Sequence, residues 1–131
     1  MLNQVLCVDD DPITLLLCKK VVERFSFCNE IITSTNGEET LHYFNTLLNS
    51  PALKPDLIFL DLNMPVMGGW EFLEAFKNPK YKDFHTTKIV VLSSTIDPND
   101  LKKAQNYPMV IAFLPKPISK SMLEDLKEIL T

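Results

Sequence analysis

The feature that most constrains the fold is the alternation of short apolar runs with longer segments of helical periodicity. Each run has about five residues, rich in Val, Ile, Leu or Phe, and precedes a segment in which apolar residues recur every three or four positions. Parallel strands that are covered by helices on both faces produce this pattern. The runs predict strands over residues 4–8, 30–34, 57–60, 88–92 and 110–114.

Each predicted strand is followed by a predicted helix. The first helix is capped by Asp11, carries Pro12 in its first turn and ends near Ser26. The second is opened by Asn36 and is terminated by the two prolines of residues 49–55. The apolar residues that recur at helical spacing in the first helix are Ile13, Leu16, Leu17, Val21 and Phe25. In the second helix, the residues that can face the sheet are Leu41, Phe44 and Leu48.

The remaining helices are predicted in the same way. A third begins after Gly68 and Gly69, residues 78–87 form a polar loop, a shorter fourth helix spans residues 99–106, and the last begins near Ser119. The apolar residues of the third and last helices are Trp70, Phe72, Leu73 and Phe76, and Met122, Leu123, Leu126, Ile129 and Leu130.

Five strands and five helices in alternation allow few topologies, because crossovers between parallel strands are almost always right-handed. The sequence therefore predicts an α/β fold of the flavodoxin-like type, a doubly wound five-stranded parallel sheet in the order 2-1-3-4-5. The 131 residues suffice for one such domain, which we expect to occupy residues 1–131. Ligands of these sheets bind at the carboxyl ends of the strands, so the residues that follow each strand are the functional candidates.

Acidic, hydroxyl and basic side chains follow four of the predicted strands. Asp9 and Asp10 follow the first, Asp61 the third, Ser93 the fourth and Lys116 the fifth. Clustered carboxylates repel one another unless a cation offsets their charge, and Mg2+ is a hard cation that binds carboxylate and phosphate oxygens. A carboxylate can also attack phosphorus, with the charge neutralised by Mg2+, an ammonium group and a hydroxyl group. Each residue alone has an ordinary structural explanation, but together they predict a phosphoryl-transfer site.

Four segments of the chain resemble the receiver domains of response regulators, the phosphorylation switches of two-component signalling. The segments are VLCVDDDP from Val5, LIFLDLNMP from Leu57, IVVLSS from Ile89 and FLPKP from Phe113. The resemblance covers essentially the whole chain, and its most specific parts are the Asp-Leu-Asn-Met-Pro segment and the Lys-Pro pair. It implies that Asp61 is the phospho-acceptor.

The resemblance also implies a metal site. Mg2+ is expected to be bound by Asp9, Asp10, Asp61 and the backbone carbonyl group of Asn63, with Asp10 in more direct contact than Asp9.

Three further roles follow from the resemblance. Ser93 occupies the position that binds a phosphoryl oxygen, Lys116 the position that pairs with the phosphoryl group, and the Lys116–Pro117 peptide bond is expected to be cis. Phe113 occupies the switch position, where an aromatic ring moves inward with the Ser93 hydroxyl group; simple core packing is its alternative. Gly68 stands where the family often has aspartate, which predicts a looser turn after the third strand.

The implied function is that of a signalling protein rather than an enzyme. A sensor histidine kinase or histidine phosphotransfer protein would donate the phosphoryl group, and a downstream effector protein would bind the phosphorylated form. The sequence leaves open whether that form dimerises. The net charge of −4 disfavours direct binding of nucleic acid.

Sequence features also bear on location. The apolar runs are far shorter than the ~20 residues that span a membrane, and the start does not resemble a signal peptide. We therefore expect a cytoplasmic, stand-alone receiver domain without membrane insertion. Cys7, Cys18 and Cys28 form no Cys-x-x-Cys pair and lie in apolar stretches, which favours buried free thiols over redox or metal roles. His42 and His85 have no supporting acid or nucleophile and are expected at the surface or in loops.

Two other functions fit part of the pattern. Haloacid-dehalogenase-type phosphatases place an Asp-x-Asp pair, a Ser or Thr and a lysine after successive strands, which Asp9, Asp11, Ser93 and Lys116 match superficially. Those enzymes need a further acidic motif after the lysine, and they leave the Asp-Leu-Asn-Met-Pro segment unexplained. The other alternative is a flavodoxin-like module that docks proteins without phosphorylation, which the complete set of acids, hydroxyl and lysine disfavours.

Overall fold

The computed structural model describes residues 2–130, which form a five-stranded parallel sheet with helices on both faces. The strands are β1 (Leu2–Val8), β2 (Cys28–Ser34), β3 (Leu57–Asp61), β4 (Lys88–Ser93) and β5 (Val110–Pro115). The helices are α1 (Pro12–Arg24), α2 (Gly37–Thr46), α3 (Gly69–Phe76), α4 (Pro98–Ala104) and α5 (Lys120–Leu130), with short 3₁₀ helices at Pro51–Leu53 and Pro79–Phe84. The strand order β2-β1-β3-β4-β5 confirms the predicted flavodoxin-like fold.

Side-chain caps fix the start of three helices at the carboxyl edge of the sheet. Asp11, Asn36 and Asp97 each accept a hydrogen bond from a backbone N–H group of the first turn that follows, at 3.0, 2.9 and 2.8 Å. Such caps satisfy N–H groups that have no partner within the helix. The loops between strands and helices are therefore tied down where the candidate residues lie.

The sheet has a separate core on each face. The face covered by α2 and α3 is aromatic, and its fully buried rings are Phe44, Phe72, Phe76 and Phe84. The face covered by α1 and α5 is mainly aliphatic and includes Val5, Cys7, Cys18, Val22, Leu123 and Leu126. Strands that are covered in this way carry apolar residues on both sides, which explains the continuous apolar runs of the sequence.

Three of the apolar residues that recur at helical spacing in α1 are exposed rather than buried against the sheet. Ile13, Leu16 and Leu17 are 68%, 51% and 50% exposed, whereas Cys18 and Val22 are buried. This helix carries apolar residues around most of its circumference, so their spacing does not identify the side that faces the sheet.

Two other expectations need correction at helix ends. Leu48 is exposed because α2 ends at Thr46, before this residue, and Ile129 in the last turn of α5 is 62% exposed. Residues 78–87 are not simply a polar loop. The 3₁₀ helix within them buries Tyr81 and Phe84 against the aromatic core.

The burial of the cysteines and the positions of the histidines largely follow their predictions. All three cysteines are free thiols; Cys7 and Cys18 are buried and Cys28 is half-buried. His42 is exposed, and half-buried His85 has a ring nitrogen 2.7 Å from the carbonyl oxygen of Phe76. Among residues 2–130, no helix has both the length and the apolar character needed to cross a membrane.

Candidate functional site

The register of the sheet places the ends of four strands side by side. Val8 at the end of β1 pairs with Leu60 of β3. Asp61 at the end of β3 pairs with Leu92 of β4. The ends of the last two strands are paired through Ser93 and Pro115. The carboxyl ends of these strands therefore lie level at one edge. The polar side chains that follow the strands in the sequence meet at this edge.

Three carboxylate groups converge there. One oxygen from each of Asp9, Asp10 and Asp61 lies within 4.8 Å of the other two. Asp9 and Asp61 are 5% and 7% exposed, while Asp10 is open to solvent. Carboxylates held this close, two of them buried, repel one another and need positive charge nearby.

Lys116 brings positive charge to these acids. Its Nζ donates a hydrogen bond to Asp9 Oδ2 at 2.5 Å and lies 3.4 Å from Asp61 Oδ1. Burial opposes the ammonium charge, but the hydrogen bond to Asp9 and the charges of Asp61 and Asp9 outweigh it and raise the pKa of Lys116. Lys116 is therefore charged at neutral pH.

One ammonium group does not balance three carboxylates. Burial and then the charge of Asp9 raise the pKa of Asp61, despite opposing contributions from Lys116 and from the backbone N–H group of Asn63. Three negative charges and one positive charge leave two formal negative charges when all groups are ionised. An oxygen-rich donor set with one solvent-exposed carboxylate and two uncompensated charges fits a hard divalent cation such as Mg2+.

The two buried acids differ in how their oxygens are engaged. Asp9 uses Oδ2 for Lys116 and Oδ1 to accept a hydrogen bond from the backbone N–H group of Asp11 at 2.9 Å. The contact between Asp61 and Lys116 is longer, at 3.4 Å. Asp9 is therefore held in place on both oxygens, whereas Asp61 is held less tightly.

The side chain of Asp11 serves a different purpose. Its carboxylate accepts hydrogen bonds from the N–H group of Ile13 and the hydroxyl group of Thr14, both at 3.0 Å, and these bonds lower the pKa of Asp11. The Asp9-x-Asp11 pair required by the phosphatase alternative therefore does not converge on one point. The sequence prediction missed the N–H group of Asp11 as a support for Asp9; a helix cap two residues after a buried acid is the signal that could have revealed it.

Ser93 lies at the same edge, but its hydroxyl group is engaged within its own loop. It donates a hydrogen bond to the carbonyl oxygen of Thr95 at 2.5 Å, and the N–H group of Thr95 lies 3.3 Å from Ser93 Oγ. The Ser93 side chain would have to leave Thr95 in order to act on a group bound at Asp61.

Phe113 lies on β5, and Lys116 and Pro117 follow the end of this strand. Phe113 is half-buried and lines a shallow groove of about 180 Å³ together with Leu101 and Ala104 of α4. It is thus less enclosed than the core ring of Phe72. The peptide bond that joins Lys116 to Pro117 is cis.

The turn between β3 and α3 passes close to the acids. The N–H group of Gly69 donates to the carbonyl oxygen of Leu62 at 2.9 Å, and the N–H group of Gly68 lies 3.4 Å from Glu71 Oε1. The turn after β3 is therefore hydrogen-bonded although position 68 is glycine. A Cβ atom on Gly69 would lie 2.6 Å from the carbonyl oxygen of Asp61, so this position requires glycine.

The chain is similar to known proteins along most of its length. The family described as response regulator receiver domain matches residues 5–128. The chain is 27% identical over 128 residues to the probable methanogenesis regulatory protein FilR2 of Methanothrix harundinacea, across 95% of this chain and 81% of that protein. It is 30% identical over 130 residues to the probable C4-dicarboxylate response regulator DctR of Halalkalibacterium halodurans, across 99% of this chain but 50% of that protein. The chain thus spans half the length of the second relative.

A solved structure agrees with these matches. A two component response regulator from Cytophaga hutchinsonii superposes with a TM-score of 0.90 at 28% sequence identity, covering 98% of this chain and 96% of that chain.

Proposed function

Because the chain belongs to the response regulator receiver family, we propose that it is a Mg2+-dependent phosphorylation switch in which Asp61 accepts the phosphoryl group. Receiver domains of this family are phospho-acceptors of two-component systems. The observation that carries the assignment is the convergence of the Asp9, Asp10 and Asp61 carboxylates within 4.8 Å, with Lys116 against two of them.

The metal would be held by Asp9, Asp10, Asp61 and the backbone carbonyl group of Asn63. When bound, Mg2+ neutralises negative charge on the phosphoryl oxygens during transfer. The two uncompensated negative charges of the acid cluster support this choice, and the exposed carboxylate of Asp10 leaves one side open to water and to a phosphate group.

Asp61 is the acid best placed to act as the nucleophile. Both oxygens of Asp9 are engaged, by Lys116 and by the N–H group of Asp11. An oxygen of Asp61 forms the new O–P bond while the N–P bond of a phosphohistidine breaks, and the imidazole leaves with the electron pair. The attacking group must be ionised, so the raised pKa of Asp61 predicts that transfer slows at acidic pH.

Lys116 and Ser93 would then stabilise the product. Lys116 already lies 3.4 Å from Asp61 and can pair with a phosphoryl oxygen on this residue. Ser93 would exchange its hydrogen bond to Thr95 for one to the phosphoryl group, which pulls the connection between β4 and α4 toward the site. The half-buried ring of Phe113 would move inward in response and change the surface formed by α4 and β5.

The proposed partners follow from the family. Receiver domains interact with histidine kinases and with downstream effectors, and we assign a sensor histidine kinase or phosphotransfer protein as the donor and an effector protein as the recipient of the signal. In this role the chain assists its own phosphorylation and has no separate substrate to turn over. Light scattering with and without acetyl phosphate decides whether phosphorylation also drives dimerisation.

The central test is phosphorylation by acetyl phosphate and Mg2+, measured by intact mass. We expect the wild type to gain one phosphoryl group and Asp61→Asn to gain none. Asp56→Asn is the matched control, because Asp56 immediately precedes β3, at the end of the strand away from Asp61. This variant should be phosphorylated like the wild type. A phosphoryl group that persists in folded Asp61→Asn would refute the assignment, and steady hydrolysis of a phosphomonoester would favour the phosphatase alternative.

Trp70 provides a second measurement of the same site. It lies in the first turn of α3, with its ring 5.8 Å from that of Tyr107 and 4.7 Å from Lys103 Nζ. Binding of Mg2+ or beryllofluoride is expected to change its fluorescence. Asp10→Asn should require at least about tenfold more Mg2+ for the same change, by analogy with the loss of groups that support metal ligands.

A further inference from the structure

Two buried cysteines face each other beneath the acid cluster. Cys7 of β1 and Cys18 of α1 have their sulfur atoms 3.1 Å apart, and both are free thiols. The sulfur–sulfur bond of a disulfide is ~2.05 Å long, so the two atoms are about 1 Å from bonding distance. Cys7 lies two residues before Asp9, in the same strand that leads to the acids.

We propose that Cys7 and Cys18 form a reversible disulfide bond that clamps α1 to β1 when a hydroperoxide is present. The bond concerns residues outside the phosphorylation chemistry, so the inference stands or falls separately from the proposed function.

The surroundings of the pair leave room for the bond to form. A void of about 10 Å³ between α1 and the sheet is lined by both cysteines and by Thr14. The buried residues of α1 are Cys18 and Val22, so few deeply buried side chains resist a small approach of the helix to the sheet. A closure of about 1 Å is thus compatible with the packing around the pair.

A groove at the surface leads to one of the two cysteines. Cys18 lines a largely apolar groove of about 510 Å³ that is also bordered by Leu17 and Pro117. Cys18 is 5% exposed and Cys7 is 2% exposed. A small hydroperoxide entering by this groove therefore meets Cys18 first.

The chemistry balances in two steps. The sulfur of Cys18 attacks the terminal oxygen of the hydroperoxide, the O–O bond breaks, and an alcohol or water leaves to give a sulfenic acid. The sulfur of Cys7 then attacks the Cys18 sulfur, the S–O bond breaks, and the hydroxyl group leaves as water with the proton of Cys7. Two thiols are oxidised and one hydroperoxide is reduced.

The oxidation is expected to be slow. Both cysteines are buried, so a hydroperoxide has limited access to either sulfur. We therefore expect the disulfide to form over minutes to hours, at the slow end of the usual range of seconds to hours.

The bond would hold the middle of α1 against β1, the strand that leads to the acids. It would join residues 11 positions apart, and the cap of the same helix already donates a hydrogen bond to Asp9 at 2.9 Å. Closing this loop restricts the unfolded chain, so the oxidised protein should have a thermal midpoint about 5 °C or more above that of the reduced protein.

The test uses a Cys28→Ser variant of the full chain, which removes the half-buried third cysteine. The folded variant is treated with hydrogen peroxide, unfolded in iodoacetamide and measured by intact mass. We expect the loss of two hydrogen atoms, no alkylation, a peptide that links Cys7 to Cys18, and full reversal by dithiothreitol.

Variants with a single remaining thiol are the controls. Adding either Cys18→Ala or Cys7→Ala should leave one alkylated cysteine and no rise in the thermal midpoint on oxidation; two such variants are used so that one that fails to fold does not decide the outcome. Two alkylated cysteines in the peroxide-treated Cys28→Ser protein would overturn the proposal. So would a sulfinic acid on Cys18 beside a free Cys7, or a disulfide between two molecules.

Discussion

Replacing Asp61 with asparagine should stabilise the metal-free protein, although it removes the residue on which the proposed function depends. Asp61 is 7% exposed and lies between two other acids and Lys116. Asparagine keeps the shape of the side chain and removes its charge. Burial of the charge and repulsion from the other acids destabilise ionised Asp61, whereas attraction to Lys116 stabilises it. The sign of the change in unfolding free energy therefore shows which of the two effects is larger.

The pairwise electrostatic energies at Asp61 nearly cancel. At an effective dielectric constant of ~20, the attraction across the 3.4 Å contact with Lys116 is about 5 kcal/mol. The repulsion from Asp9, whose carboxylate oxygen lies within 4.8 Å, is about 3.5 kcal/mol or more. Asp10 adds roughly 1 kcal/mol because its exposed carboxylate is screened by water. The cost of burying an ionised carboxylate then decides the balance, and we expect Asp61→Asn to stabilise the protein by about 1 kcal/mol at neutral pH.

The effect should depend on pH in a defined direction. The pKa of Asp61 is raised in the folded protein, first by burial and then by the charge of Asp9. The stability that such a group contributes is fully present below its unfolded pKa and is lost as the pH rises through its folded pKa. Wild type and Asp61→Asn should therefore have similar stability below about pH 3.9, the ordinary pKa of aspartate, and the variant should become the more stable as the pH rises.

Urea unfolding of both proteins in EDTA, from about pH 4 to about pH 8, measures this difference across the titration range of a raised aspartate. Asp83→Asn makes the same change of charge at an exposed position and should alter the unfolding free energy by less than about 0.5 kcal/mol. An Asp61→Asn variant that is less stable than the wild type at neutral pH would refute the reasoning, because attraction to Lys116 would then outweigh burial and repulsion. Saturating Mg2+ should narrow or reverse the difference, since it binds the folded wild type more tightly.

Three further predictions concern the loops that frame the site. Gly69→Ala should lower the free energy of unfolding by about 2 kcal/mol or more, because the new Cβ would lie 2.6 Å from the carbonyl oxygen of Asp61; urea unfolding measures the loss, and an unchanged midpoint would contradict it. Val66→Gly should raise the free energy of unfolding by about 1 kcal/mol, because Val66 is exposed and has a φ of 69° that is unfavourable for a β-branched residue; a lower thermal midpoint would show that this backbone conformation is not strained. Asn36→Ala should cost about 1 kcal/mol by removing the cap hydrogen bond of 2.9 Å to Glu39, and Asn36→Asp, which keeps an acceptor, should retain most of the stability measured by urea unfolding.

The sheet and the edge that carries the site could be predicted from the sequence because both depend on strong local signals. Strands buried on both faces leave continuous apolar runs, and the polar residue at the end of a run marks the point where the strand leaves the core. The contact of Lys116 with both Asp9 and Asp61 could not be predicted in this way. Its distances of 2.5 Å to Asp9 and 3.4 Å to Asp61 depend on side-chain rotamers, as does the engagement of the Ser93 hydroxyl group with Thr95.

Helix α1 marks the limit of what apolar spacing can reveal. Ile13, Leu16 and Leu17 recur at intervals of three and four residues, as buried residues do, yet all three are at least 50% exposed. An outward apolar stripe and an inward one have the same period, so only the residues that lie beneath the helix distinguish them. The decisive contact is that of the Cys18 sulfur with Cys7 on the sheet, at 3.1 Å. Cysteine is among the residue types most often buried, so including Cys18 in the apolar set would have indicated which side of α1 faces the sheet.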